Sequence, residues 1–276
     1  MISLVQLREL LEIYYRIFKE ARPFFAHPFS LLVNYPEAEL IVSDRMVLAK
    51  DWFGEYMPFL YENKDMLDRA EFVSGLVFAQ LSELPRGCVQ CVDWEFVYDS
   101  SILRRFKRRS YLLNRAEKVG LRYMILKGKD VLTYRKRLLD IVQSWYSKSQ
   151  FFTSEANITA ESIERCLDFT FENLTQEILP EDQIFSVIVV QDKRVVGFSF
   201  SIIDCPWMYE VFEFTSPDWR WISTYLFYRT VLVGFEFGAN WIDTLGFNGI
   251  DGLRYNKEWY KPCSLMPQYR WENCLC

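Results

Sequence analysis

Residues 184–204, IFSVIVVQDKRVVGFSFSIID, are the stretch of sequence that decides the fold. Two runs rich in Val, Ile and Phe stand on either side of Asp192 and Lys193. β-Branched and aromatic residues favour strands, and a two-residue connection favours a tight hairpin turn. This stretch therefore predicts a β-hairpin in the C-terminal half of the chain.

The segments around the hairpin predict the rest of that half. A helix is expected before the hairpin, over 162–179, because Pro180 ends the helical pattern. Helix, hairpin, strand, long helix, strand and helix is the order of a GNAT-like α/β fold. After the hairpin we expect a strand at 208–216, a long helix at 216–238, a strand at 240–247 and a short helix at 252–261.

The first half is predicted to follow the same plan. Apolar residues at helical spacing predict an amphipathic helix over 3–19, ended by Pro23. The fold class is thus α/β (α+β), with mixed, mostly antiparallel sheets in two tandem GNAT-like domains, 1–150 and 151–276. The expected elements are a small antiparallel sheet from 29–36, 38–44, 45–52 and 56–61, a helix at 65–81, a strand at 88–99, a basic helix at 103–119, a strand at 121–128 and a helix at 131–147.

Composition limits the class of protein and its partners. Half of the 276 residues are hydrophobic and 25% are charged, which is typical of a chain with a packed core. The formal net charge of −5 gives no overall attraction to nucleic acid or to an anionic membrane, so a polyanionic partner needs a local basic patch. Charges interrupt the N-terminal segment early, so we expect a cytoplasmic protein without stable membrane insertion.

The seven cysteines do not form a recognisable framework. Their number is odd and their spacing irregular, which argues against a set of disulfides. Cys88 and Cys91 form a CxxC pair, but neither a second pair nor a nearby histidine completes a zinc site. No metal ligand is assigned. His27, between aromatic residues, is predicted to be structural.

One segment resembles a known family. Residues 108–126, RRSYLLNRAEKVGLRYMIL, resemble the Arg, Asn-Arg-Ala-Glu-Lys and Gly pattern of the C-terminal catalytic domain of bacterial phosphatidylglycerol lysyltransferases. The hairpin strand 194–204 and the segment 233–247 resemble that family in order and spacing, and 253–262 resembles the end of the related FemAB-type domains. The resemblance covers about 90–262. It implies two GNAT-like units and transfer of an aminoacyl group from aminoacyl-tRNA to an amine or hydroxyl acceptor.

The segment 216–223, SPDWRWIS, departs from the GNAT pattern at the place where acetyl-CoA-dependent members carry a glycine-rich loop. Without glycine, backbone amides approach a pyrophosphate less closely, and Trp219 and Trp221 occupy the space. This disfavours acetyl-CoA as the donor. The lipid-modifying members also have a membrane domain without a counterpart here, so we expect a small-molecule or peptide acceptor rather than a lipid.

The basic helix is the densest candidate for a binding surface. Arg104, Arg105 and Lys107 begin a cationic run that Glu117 alone opposes. Such a run is often only a solvated helix face, but it also suits phosphate groups of a nucleic acid. From the resemblance, tRNA-binding roles are assigned to Arg108, Arg109, Asn114 and Arg115.

The last strand and its exit carry the candidate catalytic groups Asp243, Asn248 and Lys257, with Arg254 as a donor-binding group. A lysine there suits stabilisation of an oxyanion. Alternatively, Asp243 caps a backbone group or pairs with Lys257, and Asn248 forms a turn.

Glu213 is the candidate general base, on the strand 208–216, where Tyr209 has the same side-chain parity and is expected to face the same cleft. No serine or cysteine nucleophile motif is present, so direct attack is expected. Aminoacyl-tRNA-dependent transfer is the leading hypothesis. The alternatives are an acyl-CoA-dependent N-acyltransferase and a non-catalytic GNAT-like binding protein.

Overall fold

The structure is a computed structural model that describes residues 4–20, 22–34, 39–43, 45–50, 56–67, 74–78, 88–148, 181–217, 221–246 and 251–272. Its helices and strands, in chain order, are α1 (Leu4–Ile17), α2 (Pro28–Asn34), β1 (Leu40–Val42), β2 (Met46–Lys50), β3 (Tyr56–Tyr61), β4 (Ser74–Phe78), β5 (Cys88–Tyr98), α3 (Ile102–Arg108), α4 (Ser110–Lys118), β6 (Arg122–Lys127), α5 (Arg135–Lys148), β7 (Ile184–Gln191), β8 (Arg194–Asp204), β9 (Trp207–Thr215), α6 (Ile222–Glu236), β10 (Trp241–Asp243), α7 (Asp251–Trp259) and β11 (Ser264–Glu272).

Contacts divide the chain into two compact units. The first contains Met1–Glu95 and Leu265–Cys276, and the second contains Phe96–Ser264. Residue 150 and the helix expected over 162–179 lie outside the described residues. The domain boundary proposed near residue 150 therefore stays a prediction.

In the first unit, β1, β2 and β3 form the antiparallel sheet predicted from the sequence. Strand β4 pairs with β11, with Ser74 opposite Glu272 and Phe78 opposite Gln268. A core of Met46, Tyr61, Met66, Leu67 and Trp271 fills this unit beneath the strands, and all five are nearly excluded from water. Burial of such large side chains is the main stabilising contribution to the unit.

Two predictions for the first unit are wrong. Residues 29–34 belong to helix α2 rather than to a strand, because Pro28 begins the helix and the buried His27 Nδ1 accepts the Phe29 amide at 3.1 Å. Residues 74–78 form a strand rather than part of a helix. Their partner is β11, almost 200 residues away along the chain, so a long-range pairing overrides the local periodicity.

The second unit contains the predicted hairpin. Strands β6, β7, β8 and β9 are antiparallel neighbours in that order, β9 pairs in parallel with β10, and β10 pairs with the end of β5. Asp192 and Lys193 adopt left-handed φ angles of 47° and 67°, as a tight hairpin turn requires. The prediction for 184–204 is confirmed.

Helix α6 packs closely on this sheet. A Cβ atom on Gly234 would overlap the sulfur of Met208 in β9, and one on Gly197 in β8 would lie 2.9 Å from Ile222 Cγ2. Ser199 and Thr230 hydroxyls also meet at 2.6 Å between β8 and α6. Helix α5 lies on the opposite face, where Trp145 contacts Phe214 with ring centroids 5.5 Å apart.

The helices differ from their predicted bounds. The basic helix is broken in two at Arg109, whose φ of −106° and ψ of 17° interrupt the helix, and Gly120 follows the end of α4 with a φ of 85°. Residues 128–134 form a 3₁₀ helix before α5, and α6 begins at Ile222 rather than at 216. The mixed α/β class with mostly antiparallel strands is nevertheless confirmed. Within the described ranges, none of the helices is both long and apolar enough to span a membrane.

Candidate functional site

The site is built around a β-bulge in β9. Glu210 pairs with Ser201 and Glu213 pairs with Ser199, so Val211 is an extra residue without a partner in β8. Directly paired residues in an antiparallel sheet share a face, and residues two apart in β8 share a face. Glu210 and Glu213, here called the acidic pair, therefore lie on one face of the sheet, the face covered by α6.

The bulge also corrects one prediction. Tyr209 was expected to share a face with Glu213, but it pairs with Ile202 in β8 and with Asp243 in β10. Ile202 is one residue from Ser201 and points to the other face. Tyr209 and Asp243 therefore lie across the sheet from the acidic pair.

The acidic pair lies just beyond the part of β9 that pairs with β10. Strand β9 pairs with β10 only from Trp207 to Tyr209, and Asp243 is the last residue of β10. Glu210 is the first residue of β9 beyond this pairing. Among the residues that the structure describes, the remainder of β9 has no partner on that side, which opens the edge of the sheet next to the two carboxyl groups.

Burial gives the acidic pair unusual proton affinities. Burial is the main cause that raises the pKa of Glu213 to about 7, against the hydrogen bond from Ser223 Oγ at 2.8 Å and the charge of Lys257, which both lower it. Glu210 is 7% exposed, and burial followed by the charge of Glu213 raises its pKa well above the usual range. Glu213 keeps partial access to solvent.

Lys257 lies close to the acidic pair but is occupied by backbone groups. Its Nζ donates to the carbonyl oxygens of Leu245 at 3.0 Å and Gly246 at 2.8 Å, and also to that of Thr244. Three carbonyls match the three N–H donors of an ammonium group. Lys257 therefore fixes the segment that leaves β10.

Asp243 also holds the segment that leaves β10. Its Oδ1 accepts the Leu245 amide at 2.8 Å, and Leu245 has a left-handed φ of 56°. A left-handed leucine is uncommon and persists where neighbouring groups determine the conformation. In this hydrogen bond Asp243 caps a backbone group, which is one of the alternatives considered from the sequence.

Arg109, at the break between α3 and α4, is held against α7. Its guanidinium lies 3.6 Å from the ring centroid of Trp259, and its Nη1 donates to Tyr260 Oη at 3.1 Å and Asn256 Oδ1 at 3.4 Å. Burial raises the pKa of Tyr260, and the charge of Glu213 acts in the same direction. Tyr260 therefore interacts with Arg109 through a hydrogen bond and with Glu213 through its charge.

The other predicted donor-binding residues lie at the surface. Arg108 and Asn114 are exposed, Arg115 lies 4.1 Å from the ring centroid of Trp221 at the start of α6, and Arg254 forms an exposed ion pair with Glu258 at 2.8 Å. None of the basic side chains of α3 and α4 pairs with a carboxylate among the described residues. Their exposed members form the cationic surface, which consists of Arg104, Lys107, Arg108, Arg115 and Lys118.

The structure brings together some predicted residues and adds others. Glu213 and Lys257 are neighbours, whereas Asn248 and Trp219 lie outside the described residues. The sequence did not indicate Glu210, because residues three apart in a regular strand face opposite sides. It also missed Tyr98, whose hydroxyl donates to the Lys257 carbonyl at 2.8 Å.

Metal ligation receives no support in the described ranges, where no group of three His, Cys, Asp or Glu side chains is placed to hold an ion. Cys91 is exposed, and its Sγ contacts the Asp93 carbonyl oxygen at 3.6 Å. His27 is fully buried among aromatic rings, with Tyr14 at 4.6 Å and Phe29 at 4.7 Å between ring centroids, which fits its predicted structural role.

Comparison with known proteins identifies the fold. No protein-family model matches this sequence, and neither does any curated protein. The C-terminal domain (DUF2156) of a putative lysylphosphatidylglycerol synthetase from Agrobacterium fabrum has a TM-score of 0.64 at 11% identity, over 97% of this chain and 91% of that one. This chain has the fold of that domain.

Two further structures agree. L-PGS from Bacillus licheniformis has a TM-score of 0.64 at 12% identity, over 100% of this chain and 93% of that one. A conserved protein of unknown function from Bacteroides thetaiotaomicron VPI-5482 has a TM-score of 0.72 at 18% identity, over 98% and 97% of the two chains. The resemblance to the phosphatidylglycerol lysyltransferase domain is thus confirmed as a shared fold.

Proposed function

We propose that this protein is an acyltransferase that transfers an aminoacyl group from aminoacyl-tRNA to an amine or hydroxyl group of a small-molecule or peptide acceptor. The observation that carries the proposal is the position of Glu213. It is a partly accessible carboxyl group with a pKa raised to about 7, beside the open edge of a GNAT-like sheet. A base with a pKa near the working pH is effective in general base catalysis.

The reaction needs one proton acceptor and no covalent enzyme intermediate. The acceptor nitrogen or oxygen attacks the ester carbonyl carbon of the donor, while its proton passes to Glu213. A C–N or C–O bond to the acceptor forms, and the ester C–O bond to the tRNA ribose breaks. The ribose oxygen leaves with a proton, which Glu213 returns. Ser223 holds Oε1 of Glu213, so the base keeps a fixed orientation.

Charge on the ester oxygen has to be stabilised during attack. Lys257 is our proposed group for this role because its charge acts on both carboxyl groups of the acidic pair. Its ammonium also holds three backbone carbonyls. Contact with an oxyanion therefore requires that one of these hydrogen bonds is exchanged, and the remaining two keep the ammonium in place.

The cationic surface supports tRNA as the source of the donor. Its side chains are exposed and have no carboxylate partner among the described residues, so they are available to phosphates. Arg109 is a partly exposed residue whose guanidinium is held by Trp259 and Tyr260, which orders it before a phosphate arrives. Arginine suits this contact because its planar fork matches phosphate oxygens.

The described part of segment 216–223 supports a donor other than acyl-CoA. The Ser216 amide donates to the Val196 carbonyl at 2.7 Å, and the Trp221 ring lies under the Arg115 guanidinium. Neither feature provides the row of free amides that a pyrophosphate needs.

Thermal stabilisation tests the donor. We expect unfractionated tRNA at low salt to raise the melting temperature, and CoA at the same concentration to leave it unchanged, because a ligand stabilises only the protein that binds it. Stabilisation by CoA but not by tRNA would replace the proposal with an acyl-CoA-dependent N-acyltransferase. Stabilisation by neither would favour a non-catalytic GNAT-like binding protein.

A further inference from the structure

The acidic pair holds one more carboxyl group than a single general base requires. Glu210 is buried beside Glu213, within hydrogen-bonding reach of its carboxyl group. The Oε1 atom of Glu210 has no hydrogen-bond partner among the described residues. A negative charge on a buried carboxyl group is costly where hydrogen-bond donors are lacking.

Two adjacent buried carboxyl groups do not ionise together. The first proton leaves to give an anion, and the second is retained because removing it would place two negative charges side by side in a region of low polarity. The retained proton lies between the two groups as a hydrogen bond. The pair then titrates in two separate steps rather than one.

The donors around the pair decide which residue ionises first. Ser223 Oγ donates to Glu213 at 2.8 Å, whereas Oε1 of Glu210 has no hydrogen-bond partner among the described residues. Glu213 is also the more exposed of the two. A hydrogen-bond donor and access to solvent both favour the anion on Glu213, so the proton stays on Glu210.

We propose that Glu210 is a positioning residue, whose carboxyl group keeps its proton and donates it as a hydrogen bond to the Glu213 carboxylate. This inference deepens the proposed function and rests on its assignment of Glu213 as the base. The protonated Glu210 orients one carboxylate oxygen while Ser223 holds Oε1. Glu213 thereby accepts a substrate proton in a fixed geometry, with one negative charge on the pair instead of two.

The other charged and titratable groups around the pair are compatible with a single negative charge. The charge of Lys257 on α7 acts on both carboxyl groups. Burial raises the pKa of Tyr98 on β5. Tyr260, after α7, is affected by Glu213. Both phenols therefore stay neutral while the pair titrates.

Infrared titration of the intact protein tests the proposal without a substrate. The C=O stretching band of protonated carboxyl groups is followed from pH 5 to pH 10 in the wild type, Glu210→Gln, Glu210→Ala, Glu213→Gln and the control Glu236→Gln, an exposed residue at the end of α6. Difference spectra between each variant and the wild type isolate the two groups from the other carboxyls.

We expect two steps in the wild type and the control, the first near pH 7. Glu210→Gln should keep only the first step, within about one pH unit, because the amide still donates to Glu213. Glu210→Ala should move that step to higher pH, since the donor is lost. A fall of the Glu213 step toward its ordinary value in Glu210→Gln would overturn the proposal, as would loss of both wild-type protons below pH 6. If the two steps are found but aminoacyl-tRNA is not consumed, the proposed function fails and the shared proton stands.

Discussion

The acidic pair of β9 and the cationic surface of α3 and α4 belong to the same unit, but their charges have opposite surroundings. Glu210 and Glu213 are withdrawn from water, and burial raises their pKa values. The cations are exposed and have no carboxylate partners among the described residues. Buried charge suits chemistry on a single proton, whereas exposed charge suits attraction of a polyanion. In the proposed function, the acidic pair is therefore the site of the reaction and the cationic surface binds the donor.

Removing the base should have the largest effect. Glu213→Gln keeps the size of the side chain and its contact with Ser223 but no longer accepts a proton. We expect aminoacyl-tRNA consumption to fall by about 10² to 10⁴-fold, the usual contribution of a general base. The measurement is the release of labelled amino acid from tRNA, with circular dichroism to show that the variant is folded.

The matched control is Glu236→Gln, which changes an exposed glutamate at the end of α6. It should retain the wild-type rate. Equal rates for the wild type and Glu213→Gln would contradict the assignment of Glu213 as the base. They would also contradict the proposed difference in role between the acidic pair and the cationic surface.

Lys257→Ala is expected to come next. Removal of one oxyanion donor lowers turnover by about 100-fold. The same change leaves the carbonyls of Thr244, Leu245 and Gly246 without their donor. We therefore also expect a decrease of about 1 to 3 kcal/mol in the free energy of unfolding, measured by urea denaturation. Lys261→Ala, an exposed lysine nearby, is the control. Unchanged turnover together with reduced stability would limit Lys257 to holding the exit of β10.

The cationic surface should respond differently from the acidic pair. Replacing Arg108, Arg109 and Arg115 by Ala should weaken tRNA binding and reduce its dependence on salt, by about 0.7 to 0.9 in the log–log slope for each phosphate that is no longer neutralised. Fluorescence anisotropy at several salt concentrations measures both quantities. A variant with Lys193 and Arg194, at the β7–β8 turn, replaced by Ala removes exposed charge elsewhere and should bind as the wild type does. An unchanged slope in the triple variant would show that these three arginines do not contact RNA phosphates.

The smallest expected effect is on stability as a function of pH. An unfolded glutamate loses its proton near its ordinary pKa of 4.5, whereas folded Glu213 keeps its proton to about pH 7. Between these values the folded state binds more protons, so its stability falls as pH rises. Glu213→Gln should remove the Glu213 contribution to this fall, so that the variant gains about 1 to 3 kcal/mol of stability relative to the wild type between pH 4.5 and 7, since one pKa unit corresponds to about 1.4 kcal/mol. The contribution of Glu210, whose pKa is also raised, remains in both proteins. A constant difference between the two proteins at all pH values would contradict the raised pKa.

The sequence predicts best those parts of the molecule that local residues determine. The β7–β8 hairpin is specified by β-forming residues on either side of Asp192 and Lys193, and it is found as predicted. Strands β4 and β11 were not predicted, because their pairing joins segments that are far apart along the chain. The same limit applies to 29–34, where the contact of His27 with the Phe29 amide supports a helix in a strand-like sequence.

The candidate site was predicted only in part for the same reason. Glu213 was chosen from its strand, and the charge of Lys257 acts on it. Its catalytic role stays a prediction. Glu210 could not be found, since its orientation depends on the bulge at Val211, which exists only through pairing with β8. The bulge also places Tyr209 and Asp243 on the other face. Parity rules predict side-chain orientation only where the ladder is regular.

The most direct test of the proposed reaction is to supply both donors under one set of conditions. Purified protein is incubated at pH 8 with a mixture of labelled aminoacyl-tRNAs and, separately, titrated with acetyl-CoA by calorimetry. We predict that the wild type consumes aminoacyl-tRNA, that Glu213→Gln does not, and that acetyl-CoA binding is weak or undetectable. Micromolar acetyl-CoA binding, about −8 kcal/mol, together with intact aminoacyl-tRNA would contradict the proposed reaction.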